Sequence, residues 1–271
     1  MNRLNKKISF IGAGAMGGAI IERLISAGFV RADAVLACDV DQSKVSEIKL
    51  KLNVMTSVDN REAARFGDAV VLAVPPKQAP QVLEEIKDSL SESQIVISLV
   101  GLVSIVFIEE TLRLGIGVAR VMPNIPSLVG SGFNVVSFGR YINSEDKQWV
   151  KNLLNVLGEY REIEEEKMEI YSLVSAMGPT YFLPFVETLI EFGGRNGLSH
   201  EEARKAVASA LRGTGDLLLA VDRSVSNLNS MIGTQPLKAR DQDLRSALEQ
   251  ELERTFQQIS LAKSKFARRQ G

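Results

Sequence analysis

A turn built on three glycines constrains this chain more than any other stretch. Ile8-Ser9-Phe10-Ile11 runs apolar into Gly12-Ala13-Gly14-Ala15-Met16-Gly17, after which Ile20, Ile21, Leu24 and Ile25 recur at helical spacing. Strand, tight turn, helix is the order that holds the diphosphate of a dinucleotide. Gly12 makes the turn, Gly14 lets the diphosphate approach the backbone, and Gly17 lets the helix pack on the strand. The anion sits at a helix N-terminus, where unpaired N–H groups and the macrodipole both favour negative charge. Glycine turns also arise for purely structural reasons, so the context decides. About twenty residues beyond Gly17, a second apolar run, Ala34-Val35-Leu36-Ala37-Cys38, ends in Asp39, an acid placed for ribose hydroxyls.

The pattern after this unit keeps alternating. Residues 41–52 and 60–66 read as helices on either side of a short strand at Val54-Met55. Asp68 to Val74 is a continuous apolar strand stopped by Pro75-Pro76, as expected of a parallel strand buried on both faces. Helices at 78–90 and 104–114 alternate with strands at 95–99 and 117–122. A further strand is expected at 133–138 and a helix at 144–157. The alternation predicts an α/β fold, a doubly wound parallel sheet with ligands at the carboxyl ends of its strands. The loops after Ile11, Cys38, Val74, Leu99 and Met122 are therefore the candidate site.

After about residue 164 the strand signal stops. Helices are expected at 165–176, 179–196 and 199–221, the last opened by a Ser199-His200-Glu201-Glu202 capping box that makes His200 an exposed first-turn residue. Leu244, Leu248, Leu252, Phe256 and Ile259 stripe a final helix, so an all-α region completed by a second subunit is predicted. The expected domains are 1–164 and 165–271.

Composition excludes several function classes. A net charge of −1 gives no general affinity for nucleic acid or acidic membranes. One cysteine, Cys38, and one histidine are too few for an internal disulfide or a Cys/His metal cluster, so the expectation is a cytoplasmic, metal-free protein. Arg3, Lys6 and Lys7 faintly suggest a secretory leader, but the apolar run behind them is broken by the glycines and by Glu22 and Arg23. No membrane span is expected, and Lys263, Lys265, Arg268 and Arg269 read as a solvated helix end.

Several motifs together resemble one family. They are Phe10-Ile11-Gly12-Ala13-Gly14 with Met16, Leu72-Ala73-Val74-x-Pro76, and Val96-Ile97-Ser98. Arg120-Val121-Met122-Pro123-Asn124-x-Pro126, Leu128-Val129-Gly130-x-Gly132 and Ser175-x-x-Gly178-Pro179-x-Tyr181 complete the set. The chain resembles the pyrroline-5-carboxylate reductases of proline biosynthesis over nearly its whole length. The resemblance implies a Rossmann-type domain, a helical dimerisation and substrate domain, a homodimer or higher homo-oligomer, and hydride transfer from NAD(P)H to a cyclic imino acid. It places the cofactor against the glycine turn, Asp39, Asn60, Ala73, Val74, Pro75, Pro76, Leu99 and Val100, with Asn124 near the nicotinamide. It places Ser175, Gly178 and Pro179 beside the substrate. Asn124, Ser175, Thr180 and Thr234 are the candidate polar groups around the reacting centre.

Departures from the family pattern are also legible. Asp39 and Val40 stand where a serine or arginine usually follows the second strand, which favours NAD over NADP. The family's Ser-Pro-Gly-Gly-Thr-Thr loop corresponds to Ile232-Gly233-Thr234-Gln235-Pro236-Leu237-Lys238-Ala239-Arg240-Asp241, where Thr234 offers a hydroxyl and Lys238 or Arg240 a cation. Three readings follow: reductase of a cyclic imino acid, oxidoreductase of another small imine or carbonyl compound, or non-enzymatic nucleotide-binding regulator.

Overall fold

The computed structural model describes residues 6–113 and 115–268, the side chains of 267 and 268 excepted. Arg3, Leu114, Arg269 and the Arg268 side chain, invoked above, lie outside the described residues. By contacts the chain forms two units, Met1–Ala176 with Phe256–Gly271, and Met177–Thr255.

The first unit opens with β1 (Ile8–Ile11), α1 (Ala15–Ser26), β2 (Val35–Cys38), α2 (Gln42–Leu52), β3 (Met55–Ser57) and α3 (Asn60–Phe66). It continues with β4 (Ala69–Leu72), α4 (Ala79–Ile86), β5 (Ile95–Ser98), α5 (Ile105–Leu112) and β6 (Gly117–Met122). Then come β7 (Gly132–Phe138), α6 (Ser144–Leu157) and β8 (Gly158–Glu162). The strands form one sheet in the order β3-β2-β1-β4-β5-β6-β7-β8. Every residue of β1, β2, β4 and β5 is buried, because helices cover both faces. Ile20, Ile21, Leu24, Trp149 and Val150 of α1 and α6 pack on one face. Ala63, Leu83, Ile86, Ile105 and Ile108 of α3, α4 and α5 pack on the other. Each fully buried large aliphatic side chain contributes about 1.5–3 kcal/mol.

Strand order reverses between β1 and β4, so the switch-point crevice opens at the carboxyl end of β1. From β1 to β6 the neighbours pair in parallel, but β7 runs antiparallel to β6, with Met122 opposite Val135. The first residues of β7 therefore lie on the same edge of the sheet as the crevice.

Two features of this unit differ from the sequence expectation. The strand β8 (Gly-Glu-Tyr-Arg-Glu) was not expected, since its residues are polar and largely exposed; it is held by parallel pairing with β7. The uninterrupted helix expected at 165–176 is instead a 3-10 turn (Glu165–Lys167), a short α7 (Met168–Tyr171) and a π turn (Ser172–Ala176). Pro179 supplies no N–H to the carbonyl of Ser175, so regular α spacing loses a bond there.

The contacts divide the chain differently from the sequence boundary after residue 164. Residues 165–176 belong with the sheet because buried Arg120 on β6 pairs with Glu165 and Glu169, each at 3.0 Å. Lys263, 2.7 Å from Glu169, brings the end of the last helix into the same unit.

The second unit is helical: α8 (Gly178–Arg195), α9 (His200–Ala220), α10 (Val225–Ser230) and most of α11 (Asp241–Arg268). The capping box is formed as expected, Ser199 accepting from the Glu202 N–H and Glu202 returning to the Ser199 N–H. Glu165–Arg195 is long and apolar enough to cross a bilayer by length and composition alone, and only 11% of its most apolar window is buried. Phe182, Phe185, Leu189 and Phe192 are among its exposed side chains.

Candidate cofactor site

The crevice is shaped by close backbone approach. The Gly12 N–H donates to the Cys38 carbonyl at 2.8 Å and the Ala73 N–H to the Ile11 carbonyl at 2.8 Å, which pins the glycine turn between the ends of β2 and β4. Gly12 has φ +104°, and a Cβ there would lie 2.5 Å from the Ala73 carbonyl oxygen. A Cβ on Gly17 would run into the carbonyl of Gly12, whereas one on Gly14 would meet nothing within 4 Å. The three glycines thus divide as the sequence predicted, into turn, packing contact and open approach. Gly14 caps α1 without a side-chain hydrogen bond, and a helix N-terminus of this kind can receive an anion.

Around this turn lies a cleft of about 480 Å³, lined on one side by Gly12, Gly14, Ala15 and Met16 and on the other by Ala73, Val74, Pro75 and Leu99. Asp39 and Asn60 close it at the β2 end. Asp39 is 9% exposed. One of its oxygens accepts from the Ala13 N–H and the other from the Asp41 N–H, both at 3.0 Å. Lys44 Nζ stands 3.5 Å from it. Buried Asn60 donates to Glu85 at 3.0 Å and accepts from the Cys38 thiol at 3.4 Å. Burial pushes that thiol up to about 12, so Cys38 is neutral and unreactive near neutral pH.

Ala13, Gly17, Pro76, Val100 and Asn124 are not among the residues lining this cleft. Ala13 and Gly17 act from behind, through Asp39 and through helix packing, and Val100 is buried. Asp41, Lys44, Gln78 and Val82 line it without having been singled out, and so does Val40, which was noted beside Asp39. The signal for Asp41 and Lys44 was present: they follow Asp39 directly, as N-cap and first-turn residue of α2.

Asn124 and Ser175, far apart in sequence, meet on one residue of β7. The Asn124 side-chain oxygen accepts from the Phe133 N–H at 3.1 Å, and the Ser175 hydroxyl donates to the Phe133 carbonyl at 3.3 Å. The Phe133 ring stacks on Tyr171 with centroids 6.3 Å apart.

In the second unit, Gly178 and Pro179 open α8, and the Thr180 hydroxyl donates to the Met177 carbonyl at 2.6 Å. Thr234, Lys238 and Arg240 are exposed on the α10–α11 connection, where Gln235 donates to the Asn229 carbonyl at 2.7 Å and Arg240 lies 3.3 Å from Asp243. His200 is exposed at the start of α9. His200→Ala is expected to change stability by less than about 0.5 kcal/mol and to leave turnover unchanged in a steady-state assay.

The residues of the cleft fit a dinucleotide: a cradle that a Cβ would fill, an uncapped helix N-terminus and a carboxylate at the ribose end. Residues 7–101 match the family model described as NADP oxidoreductase coenzyme F420-dependent, and residues 165–259 match pyrroline-5-carboxylate reductase dimerisation. A pyrroline-5-carboxylate reductase of Corynebacterium melassecola is 31% identical over 230 residues, which cover 84% of this chain and 85% of the relative. The chain belongs to the pyrroline-5-carboxylate reductase family.

A second pyrroline-5-carboxylate reductase, from Methanosarcina acetivorans, is 28% identical over 252 residues, 93% of each chain. The crystal structure of Plasmodium falciparum pyrroline carboxylate reductase with NADP bound superposes with TM-score 0.77 at 30% identity, covering 96% of this chain and 97% of that one. The family's dimerisation region coincides with the helices whose large apolar side chains are exposed, which accounts for that exposure by homo-oligomerisation.

Proposed function

We propose that this chain reduces pyrroline-5-carboxylate to proline with NAD(P)H. The observation that carries the reading is a glycine turn with the right steric division, ending beside a buried carboxylate, in a chain 31% identical to a pyrroline-5-carboxylate reductase over most of both lengths. The bound coenzyme supplies the hydride for the C=N carbon. The chain's own task is to bind, orient and exclude water. The N–H groups opening α1 take the diphosphate, Asp39 takes the adenosine ribose, and Ala73, Val74, Pro75 and Leu99 wall the nicotinamide side. Asn124 and Ser175 stand at the ligand edge of β7, fixed in register by their shared bonds to Phe133. Thr180, Thr234, Lys238 and Arg240, with Gly178 and Pro179, are assigned to the substrate's carboxylate and ring nitrogen. No strong acid–base pair is needed for an iminium, so the exposed position of His200 is no obstacle.

The protein acts as a homodimer or a larger assembly of dimers through α8 and its neighbours, in a reducing cytoplasm that suits its buried free thiol. The test is to follow oxidation of reduced nicotinamide with pyrroline-5-carboxylate and to quantify proline. Equimolar proline is expected; tight coenzyme binding with no proline would refute the substrate. The loop around Leu237 and Lys238 favours one second reading, a different small cyclic imine, which turnover of that imine alone would establish.

A further inference from the structure

We infer that the ribose end of the cleft rejects a 2′-phosphate, so that this reductase uses NADH in preference to NADPH. The inference rests on the coenzyme site proposed above and adds the choice of coenzyme.

The chain places two carboxylates and one ammonium there. Asp39 follows β2, Asp41 caps α2, and Lys44 is the one cation among the described residues lining the cleft. Asp39 cannot turn away from an incoming phosphate. Its two oxygens hold the Ala13 and Asp41 N–H groups at 3.0 Å each, so rotation would release the glycine turn that cradles the diphosphate. Each carboxylate oxygen keeps a second lone pair, so a ribose hydroxyl can donate to Asp39 while both backbone bonds persist. A 2′-phosphate has no such donor, and it brings close to two negative charges against a fixed one.

Asp41 adds to the repulsion. Its carboxylate accepts from the Ser43 N–H at 2.9 Å and the Ser43 hydroxyl at 2.6 Å, bonds that favour its charged form. Lys44 does not reverse the balance. Its side chain is 46% exposed and already pairs with Asp39 at 3.5 Å, and an ammonium lacks the planar fork with which arginine grips a phosphate.

The test is calorimetric titration of the purified full chain with NADH, NADPH, ADP-ribose and 2′-phospho-ADP-ribose, the last two isolating the adenosine end. NADH and ADP-ribose are expected to bind at least about tenfold more tightly than their 2′-phosphorylated counterparts, or ~1.4 kcal/mol. Asp39→Ser should close or invert the gap while weakening both ligands, because the Ala13 bond is lost. Asp41→Asn keeps the helix cap and removes one charge, so it should narrow the gap about threefold (~0.65 kcal/mol) even if the Asp39 variant fails to fold. Equal or tighter binding of NADPH by the unaltered protein overturns the inference, as does a gap that neither variant moves. Failure of all four ligands to bind would instead remove the coenzyme site itself.

Discussion

Gly12→Ala is expected to abolish coenzyme binding and to destabilise the first unit. The added methyl would lie 2.5 Å from the Ala73 carbonyl oxygen and 2.6 Å from its carbon, both backbone atoms that cannot escape by changing rotamer. The φ of +104° is also one that alanine rarely adopts. Strain and overpacking together cost on the order of 2–5 kcal/mol. The relief available is to push β4's end away from β1, which opens the wall formed by Ala73 and Val74. A loss of affinity of about a hundredfold or more, equivalent to ~2.7 kcal/mol, should accompany a lower melting temperature. Gly14→Ala is the control. Its methyl meets no protein atom within 4 Å, so melting should be unchanged while affinity falls through crowding of the ligand alone. If both variants melt and bind like the parent, the diphosphate does not lie on this turn.

Arg120→Met should have the largest effect on stability without touching the cleft. Arg120 is fully buried on β6, and it is the centre of a network of charges. It donates to Glu165 and Glu169 at 3.0 Å each, Lys263 adds a bond to Glu169 at 2.7 Å, and Glu165 accepts from the Ile105 N–H at 2.8 Å at the start of α5. Methionine keeps most of the volume but removes the guanidinium from Glu165 and leaves Glu169 with Lys263 alone, a loss of about 3–5 kcal/mol. The pH dependence has a definite sign. Burial pushes the Glu169 carboxyl up, but the Lys263 and Arg120 bonds and charges outweigh it and leave it below the ordinary glutamate range. Its contribution is therefore complete above the unfolded carboxyl's pKa and is lost as pH falls through the folded value. In Arg120→Met the same carboxyl titrates higher, so the difference between parent and variant in urea denaturation should shrink between about pH 7 and about pH 4. A difference independent of pH would mean that shape, not charge, makes Arg120 matter.

What could be read beforehand follows from which forces are local. β1, β2, β4 and β5 were legible because strands covered on both faces are continuous apolar runs, and the glycine turn was legible because its three glycines keep a fixed spacing between a strand and a helix. Asp39 was legible as the acidic residue that ends β2, but its bond to Ala13 was not, since that depends on β1 and β2 lying side by side in register. The polar β8 owes its conformation to β7 rather than to its own composition. The meeting of Asn124 and Ser175 on Phe133 depends on β7 reversing direction, which no spacing in the sequence announces. Arg120 sits in a strand of otherwise apolar character, and only Glu165, Glu169 and Lys263 explain its charge.

The return of the last helix to the first unit has a consequence for how the protein is made. Glu169 leaves the ribosome 94 residues ahead of Lys263, a delay of roughly 5–20 s at ordinary rates of elongation. For that interval the nascent sheet holds a carboxylate short of one of its two cations, and the apolar cluster that includes α4 and α5 lacks Phe266. A chain made only as far as β8 therefore carries a nearly complete nucleotide fold with one unsealed flank, which closes only once Lys263 and Phe266 have been added.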